Sequence, residues 1–162
     1  MGEQVKKNRR PTLRFNESEI KLALDVMDQL EKPIELMYYL MSHENEKSFV
    51  IMLISAEGSD VGELLKGQKR DTDLLFPIDG VEGSNKLFAL ICQETKVDGG
   101  YRFAERILRT LVSKDVKNVY CIEIEVRSTR YDKREVIFKA IESYISTKKS
   151  GNFGEIVFRS LN

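Results

Sequence analysis

Histidine occurs once, at His43, and cysteine twice, at Cys92 and Cys121, so the side chains most often used to hold transition metals are scarce. His43 follows a stretch rich in Glu and Lys and reads as a surface histidine. The two cysteines lie in strand-like segments, form no CxxC and have no His/Cys cluster beside them. They read as a reduced structural pair, and no metal site or cofactor is expected. Charge of one sign is lacking too, because 26 basic residues balance 26 acidic ones. That balance argues against broad electrostatic capture of a nucleic-acid polymer or a membrane surface. The longest apolar run, Phe49–Ile54, is far too short to cross a bilayer, and no signal peptide is visible. What remains, 162 residues that are 41% hydrophobic and 32% charged, is enough for one cytoplasmic domain with a core of ordinary size.

Hydrophobic period organises the chain. Residues 1–15 have no period and carry Lys6, Lys7, Arg9, Arg10 and Arg14 against Glu3 alone, which predicts a basic flexible tail. From Asn16, a predicted N-cap, the spacing of Ile20, Leu24, Met27 and Leu30 marks a helix over 16–32. Pro33 punctuates it, and Ile34, Met37, Tyr38 and Met41 restart helical spacing. The main domain is therefore expected over 33–162. Met27, Met37, Met41, Tyr38 and Tyr39 give more apolar surface than a sheet edge needs, which points to an association surface or to packing on the sheet.

Phe49–Ile54 is continuously apolar and suits a strand covered on both faces. Ser59 is expected to cap a short helix to about Gln68. Strands follow at Leu74–Ile78 and Leu87–Gln93, an antiparallel pair joined by the turn region 79–85. Ala104, Ile107, Leu108, Leu111 and Val112 mark the next helix. Tyr120, Ile122, Ile124 and Val126 alternate in a strand with Glu123 and Glu125 on its other face. Asp132-Lys-Arg-Glu135 reads as a capping box opening a helix buried through Ile137, Ala140, Ile141 and Tyr144. Ser150-Gly-Asn152 stops that helix before a last strand at Glu155–Phe158. The order after Pro33 is α-β-α-β-β-α-β-α-β, an α/β fold with a mixed central sheet flanked by helices. Asp98-Gly99-Gly100 lacks the Lys-Ser/Thr of a P-loop and reads as a turn. Arg127-Ser-Thr-Arg130-Tyr131 reads as a polar loop before a capped helix.

Several runs in this order resemble the GGDEF domain of diguanylate cyclases. Arg70-Asp-Thr-Asp73 is similar to the family's RxxD inhibitory-site motif. Phe88–Thr95 resembles the strand after the signature, Ala104-Glu-Arg106-Ile resembles the AER-I segment of the following helix, and Lys148-Lys-Ser-Gly151-Asn152 with Ile156-Val-Phe158 resembles the closing stretch. The likeness covers about residues 33–159 and implies a GGDEF-like, nucleotidyl-cyclase palm-type sheet.

The catalytic positions depart from that family. Ser84-Asn85-Lys86-Leu87-Phe88 stands where the family has Gly-Gly-Asp-Glu-Phe, and Ser55 stands where the first strand would end in a metal-binding Asp. Hard divalent cations need oxygen ligands, chiefly carboxylates, which Lys86 and Leu87 do not supply. About fifteen residues separate Ser55 from Arg70, too few for the family's guanine-holding insert, and the stretch from Asp73 to Phe88 is longer than usual. Three parts of a metal-dependent phosphoryl-transfer site are missing, so no catalytic residues are expected. The resemblance carries the inhibitory site onto Arg70, Asp73 and Arg106, implying a ligand, cyclic di-GMP, held by two arginine forks and an acid. Two readings stand: a cyclic di-GMP receptor without enzymatic activity, or a ligand-independent module that forms a homodimer or docks a signalling protein. On the bland side, Arg70 and Asp73 at i, i+3 form only a helix-end ion pair.

Overall fold

A computed structural model describes residues 14–43, 47–58, 60–78 and 85–161. Residues 1–13 of the basic tail, the cap at Ser59 and the turn region 79–84 with Ser84 lie outside the described residues, while Phe15, expected to belong to the flexible tail, packs partly buried against the core with its ring 5.7 Å from that of Phe138. The elements are α1 (Glu17–His43), β1 (Phe49–Glu57), α2 (Val61–Gln68), β2 (Leu74–Ile78), β3 (Asn85–Gln93), α3 (Val97–Ser113), β4 (Lys117–Val126), α4 (Lys133–Lys149) and β5 (Ile156–Leu161). They form one five-stranded sheet in the order β2-β3-β1-β4-β5. β1 lies antiparallel to both β3 and β4, β2 lies antiparallel to β3, and β5 lies parallel to β4. This is the predicted order and the predicted mixed sheet.

β1 shows why a continuous apolar run was needed. Phe49, Ile51 and Leu53 point into a core shared with α1 and α4, while Val50, Met52 and Ile54 point into a second core under α2 and α3. A central strand buried on both faces has no polar alternation to keep. β4 does alternate, yet Glu123 and Glu125 are 2% and 3% exposed. Their face of the sheet is therefore covered, because α3 lies across it.

Two expectations for α1 change. The helix runs through Pro33 without a break. Its buried residues, Ala23, Val26, Leu30, Ile34 and Met37, keep one phase on both sides of the proline. Their packing on the sheet and α4 offsets a cost of about 3 kcal/mol for an interior proline. The division at residue 33 thus falls inside one helix. The buried stripe is also rotated from the predicted face, since Ile20 and Leu24 are 47% and 63% exposed. Met37 is fully buried, and Met27, Tyr38 and Met41 pack partly buried against the core, with Tyr38 Oη donating to Tyr131 O at 2.8 Å. Of the residues expected to offer an association surface, Tyr39 is the exposed one.

The caps predicted for α1 and α4 form, whereas α2, expected to be capped at Ser59, has Asp60 at its N-cap without a side-chain hydrogen bond. Asn16 Oδ1 accepts from Glu19 N while Glu19 Oε1 accepts from Asn16 N, both at 2.9 Å, a reciprocal box at the start of α1. Asp132 caps α4 by accepting from Arg134 N at 2.9 Å, and Gly151, at φ 70°, takes the left-handed conformation that ends it.

Candidate functional site

Arg70 and Asp73 close a turn between α2 and β2 on themselves. Asp73 N donates to Arg70 O at 3.0 Å, and Arg70 N donates back to Asp73 Oδ2 at 2.9 Å. The guanidinium completes the clasp, with Nε 3.1 Å and Nη2 2.8 Å from Asp73 Oδ1. Nη2 also donates to Gln93 O at 2.8 Å and to Thr95 Oγ1 at 2.6 Å, tying the turn to the end of β3. The Asp73 side chain is 1% exposed and that of Arg70 is 51% exposed. The hydrogen bond to Asp73 is the main reason the Arg70 pKa is raised. The pair is therefore more than a surface ion pair: its acid is buried and its base ties the turn to the end of β3 through Asp73, Gln93 and Thr95.

Arg106 comes from the middle of α3 and reaches the same end of the sheet. Its Nε donates to Gln68 Oε1 and its Nη2 to Gln68 O, each at 3.1 Å, so it closes the C-terminus of α2. Its guanidinium also lies 5.2 Å from the Phe103 ring centroid.

Arg70 and Arg106 face one cavity of about 490 Å³. Its floor includes Cys92, Thr95 and Phe103, and its rim carries Glu94, Lys96, Asp98 and Arg102. Burial pushes the Cys92 thiol well up, so it stays neutral and unreactive. Asp73 is not part of the wall; it lies behind Arg70 and holds it. Sequence reasoning missed Lys96 and Arg102. A signal for Arg102 was present, since it precedes Arg106 by one helical turn and Asp98 precedes it by another.

Asp98-Gly99-Gly100, expected as a turn, forms the first turn of α3. Space beside Gly100 is tight: a Cβ would lie 2.6 Å from Glu123 Oε2 and 3.3 Å from Val50 Cγ2, so the buried Glu123 carboxyl would have to shift. Both carboxyl oxygens of Glu123 are buried with no hydrogen-bond partner among the described residues, and burial pushes its pKa up to about 8.

The positions that resemble a cyclase centre lie at the other end of the β1–β3 pair. Phe49 pairs with Gln93 near the cavity, whereas Ser55 pairs with Leu87 six residues further along, about 20 Å away at strand spacing. Ser55 is fully buried, with its Oγ accepting from Tyr144 Oη at 2.8 Å. Leu87 is 2% exposed in the same core. Neither faces solvent. Glu57, one pairing step beyond Lys86, accepts from Asn118 Nδ2 at 2.9 Å. Among the described residues no group of three His, Cys, Asp or Glu is arranged to hold a metal. His43 is exposed at the end of α1, stacked on Tyr39 at 4.3 Å.

No protein-family model and no curated protein matches this chain. Solved structures do match its fold. The diguanylate cyclase SiaD from Pseudomonas aeruginosa, solved in complex with its activator SiaC, superposes with a TM-score of 0.59 at 12% identity, over 82% of this chain and 57% of that one. PelD 158-CT from Pseudomonas aeruginosa PAO1 superposes with a TM-score of 0.53 at 12% identity, over 87% of this chain and 50% of that one. This chain thus spans about half the length of either. Its fold is GGDEF-like. No helix among the described residues is long and apolar enough to cross a membrane.

Proposed function

We propose that this chain is a catalytically inactive GGDEF-like signalling domain that binds cyclic di-GMP in the cavity between α2, the end of β3 and α3. Arg70 and Arg106 contact the ligand and Asp73 holds Arg70 in place. The observation that carries the reading is the convergence of Arg70 and Arg106, from different elements, on one cavity of about 490 Å³. That volume is within the usual range for small-molecule sites, about 300–1,000 Å³. Guanidinium forks suit phosphates and the O6/N7 edge of guanine, and both groups occur in this ligand. Inactivity is supported by Ser55 and Leu87, which turn a hydroxyl and an isobutyl group into the apolar core where metal chemistry needs exposed carboxylates.

Calorimetric titration of the full chain with cyclic di-GMP tests the reading. Saturable binding is expected, weakened about ten- to a hundredfold by Arg70→Ala or Arg106→Ala. Lys86→Ala, at the far end of the sheet, is expected to change little. Absence of heat at high micromolar ligand, or an effect of Lys86→Ala without one of Arg106→Ala, overturns it.

A ligand-independent interaction module is the second reading, and exposed aromatics favour it. Phe153, just before the edge strand β5, and Phe158, within it, are 59% and 50% exposed, with Phe158 set edge-on to Tyr101 at 5.7 Å. Light scattering of the full chain without nucleotide separates the two: a stable dimer or larger species that Phe158→Ser dissolves supports the module.

A further inference from the structure

Guanine offers an N1–H and an N2 amine along one edge, and a carboxylate that accepts from both gives a protein its simplest means of reading that base. Asp73 cannot do this as placed, because its carboxylate is 1% exposed and accepts from the Arg70 main chain and guanidinium. The cavity rim carries two other acids, Glu94 and Asp98. Glu94 has a contact of its own and lies near enough to Arg70 to raise its pKa. Asp98 is different. It is exposed on the first turn of α3, on the cavity rim, and its side chain has no hydrogen bond or ion pair among the described residues.

Arg102 stands one turn further along the same helix and shares these properties: it is exposed, lines the cavity and its side chain has no hydrogen bond or ion pair among the described residues. The cavity's four cations thus divide. Arg70 and Arg106 are anchored by protein oxygens at 2.6–3.3 Å. Lys96 and Arg102 are not so anchored, and Arg102 rises from a helix, which fixes its direction relative to Asp98.

We propose that Asp98 and Arg102 form the base- and phosphate-reading half of the cavity, with Asp98 accepting from the N1–H and N2 amine of guanine and Arg102 donating to a ligand phosphate. The inference rests on the reading that the cavity holds cyclic di-GMP, and it adds a source of base specificity. Adenine presents an N1 acceptor at the matching position, which would set a lone pair against the carboxylate and leave both unsatisfied. Specificity from a mismatched polar edge exceeds what shape alone gives.

The test compares cyclic di-GMP with cyclic di-AMP by calorimetry on the full chain, as wild type, Asp98→Ala and Arg102→Ala. Both residues are exposed, so unchanged melting temperatures are expected and are checked first. Wild type should prefer cyclic di-GMP by at least about tenfold. Asp98→Ala should lose about ten- to a hundredfold toward cyclic di-GMP while cyclic di-AMP binding stays the same or improves. Arg102→Ala should weaken both ligands by similar factors. Failure of wild type to bind either ligand overturns the cyclic dinucleotide reading and this inference with it. Tight cyclic di-GMP binding whose preference over cyclic di-AMP survives Asp98→Ala overturns this inference alone.

Discussion

The carboxyl group of Glu123 occupies the space that a side chain on Gly100 would need, with Oε2 2.6 Å from the position of a Cβ there. A strand residue and a helix residue thereby set each other's limits. The contact lies beneath the first turn of α3, the turn that carries Asp98 and Gly99 to the cavity rim.

Stability should fall with rising pH because of Glu123. Its folded-state pKa is pushed up to about 8 by burial, from an ordinary value of 4.5. Between these values the unfolded chain has lost a proton that the folded chain keeps. The stabilisation is present in full below about pH 4.5 and is lost as pH rises through about 8, at up to about 1.4 kcal/mol per pH unit. Glu123→Gln should remove this slope. Thermal melts from pH 5 to 8 decide the matter, and a variant that keeps the wild-type slope assigns it to another group.

Gly100→Ala should destabilise the protein by about 1–3 kcal/mol, although alanine is the better helix former by about 1 kcal/mol. Gly99→Ala is the control, because its Cβ would meet only Thr95 Cγ2, at 3.7 Å. It should be neutral or stabilising. Urea denaturation of both variants gives the comparison, and equal effects would remove the steric explanation.

Arg70→Ala should cost stability as well as binding. It leaves the buried Asp73 carboxylate with only the Arg70 main-chain N–H among its present donors. A loss of about 2 kcal/mol corresponds to a melting temperature lower by about 4–8 °C. Arg106→Ala releases neutral oxygens of Gln68, so its melting temperature should fall less. Calorimetric scans without ligand rank the two, and the reverse order would deny Asp73 its part.

Incubation with GTP and Mg²⁺ or Mn²⁺ should leave the nucleotide unchanged. Leu87→Glu should not create activity, because that side chain points into the core beside the buried Ser55. Chromatography of the nucleotides is the measurement, and cyclic di-GMP above a no-protein control would contradict the proposed inactivity.

Removal of residues 1–32 should unfold the domain rather than release it. The cut takes away Ala23, Val26 and Leu30, which fill the core with Ile34 and Met37. Loss of each large buried side chain costs about 2–5 kcal/mol, against a total stability of about 5–15 kcal/mol. Circular dichroism showing a cooperative melt for the shortened chain would restore residue 33 as a boundary.

Local order was legible in the sequence wherever one segment's own chemistry decides it. The run Phe49–Ile54, the cap at Asn16, the alternation from Tyr120 to Val126 and the stop at Gly151 each specify backbone by burial period, capping or a positive φ. The RxxD spacing likewise brought Arg70 and Asp73 into one turn, since four residues suffice to close it. Relations between elements were not legible. Pro33 reads as a break because an isolated helix would break there, and only packing on α4 and the sheet carries α1 through it. Glu123 reads only as a residue on the other face of its strand, because nothing in β4 reveals that α3 crosses above it and buries it. Asp73 reads as a ligand contact, but the direction of its carboxylate depends on Arg70 reaching Gln93 and Thr95. The sequence by itself determined the elements after Pro33, their order and the lack of carboxylates at Ser55 and Leu87. Only the tertiary structure decided which charges are held by the protein and which remain open on the cavity, because that depends on distances between segments far apart in the chain.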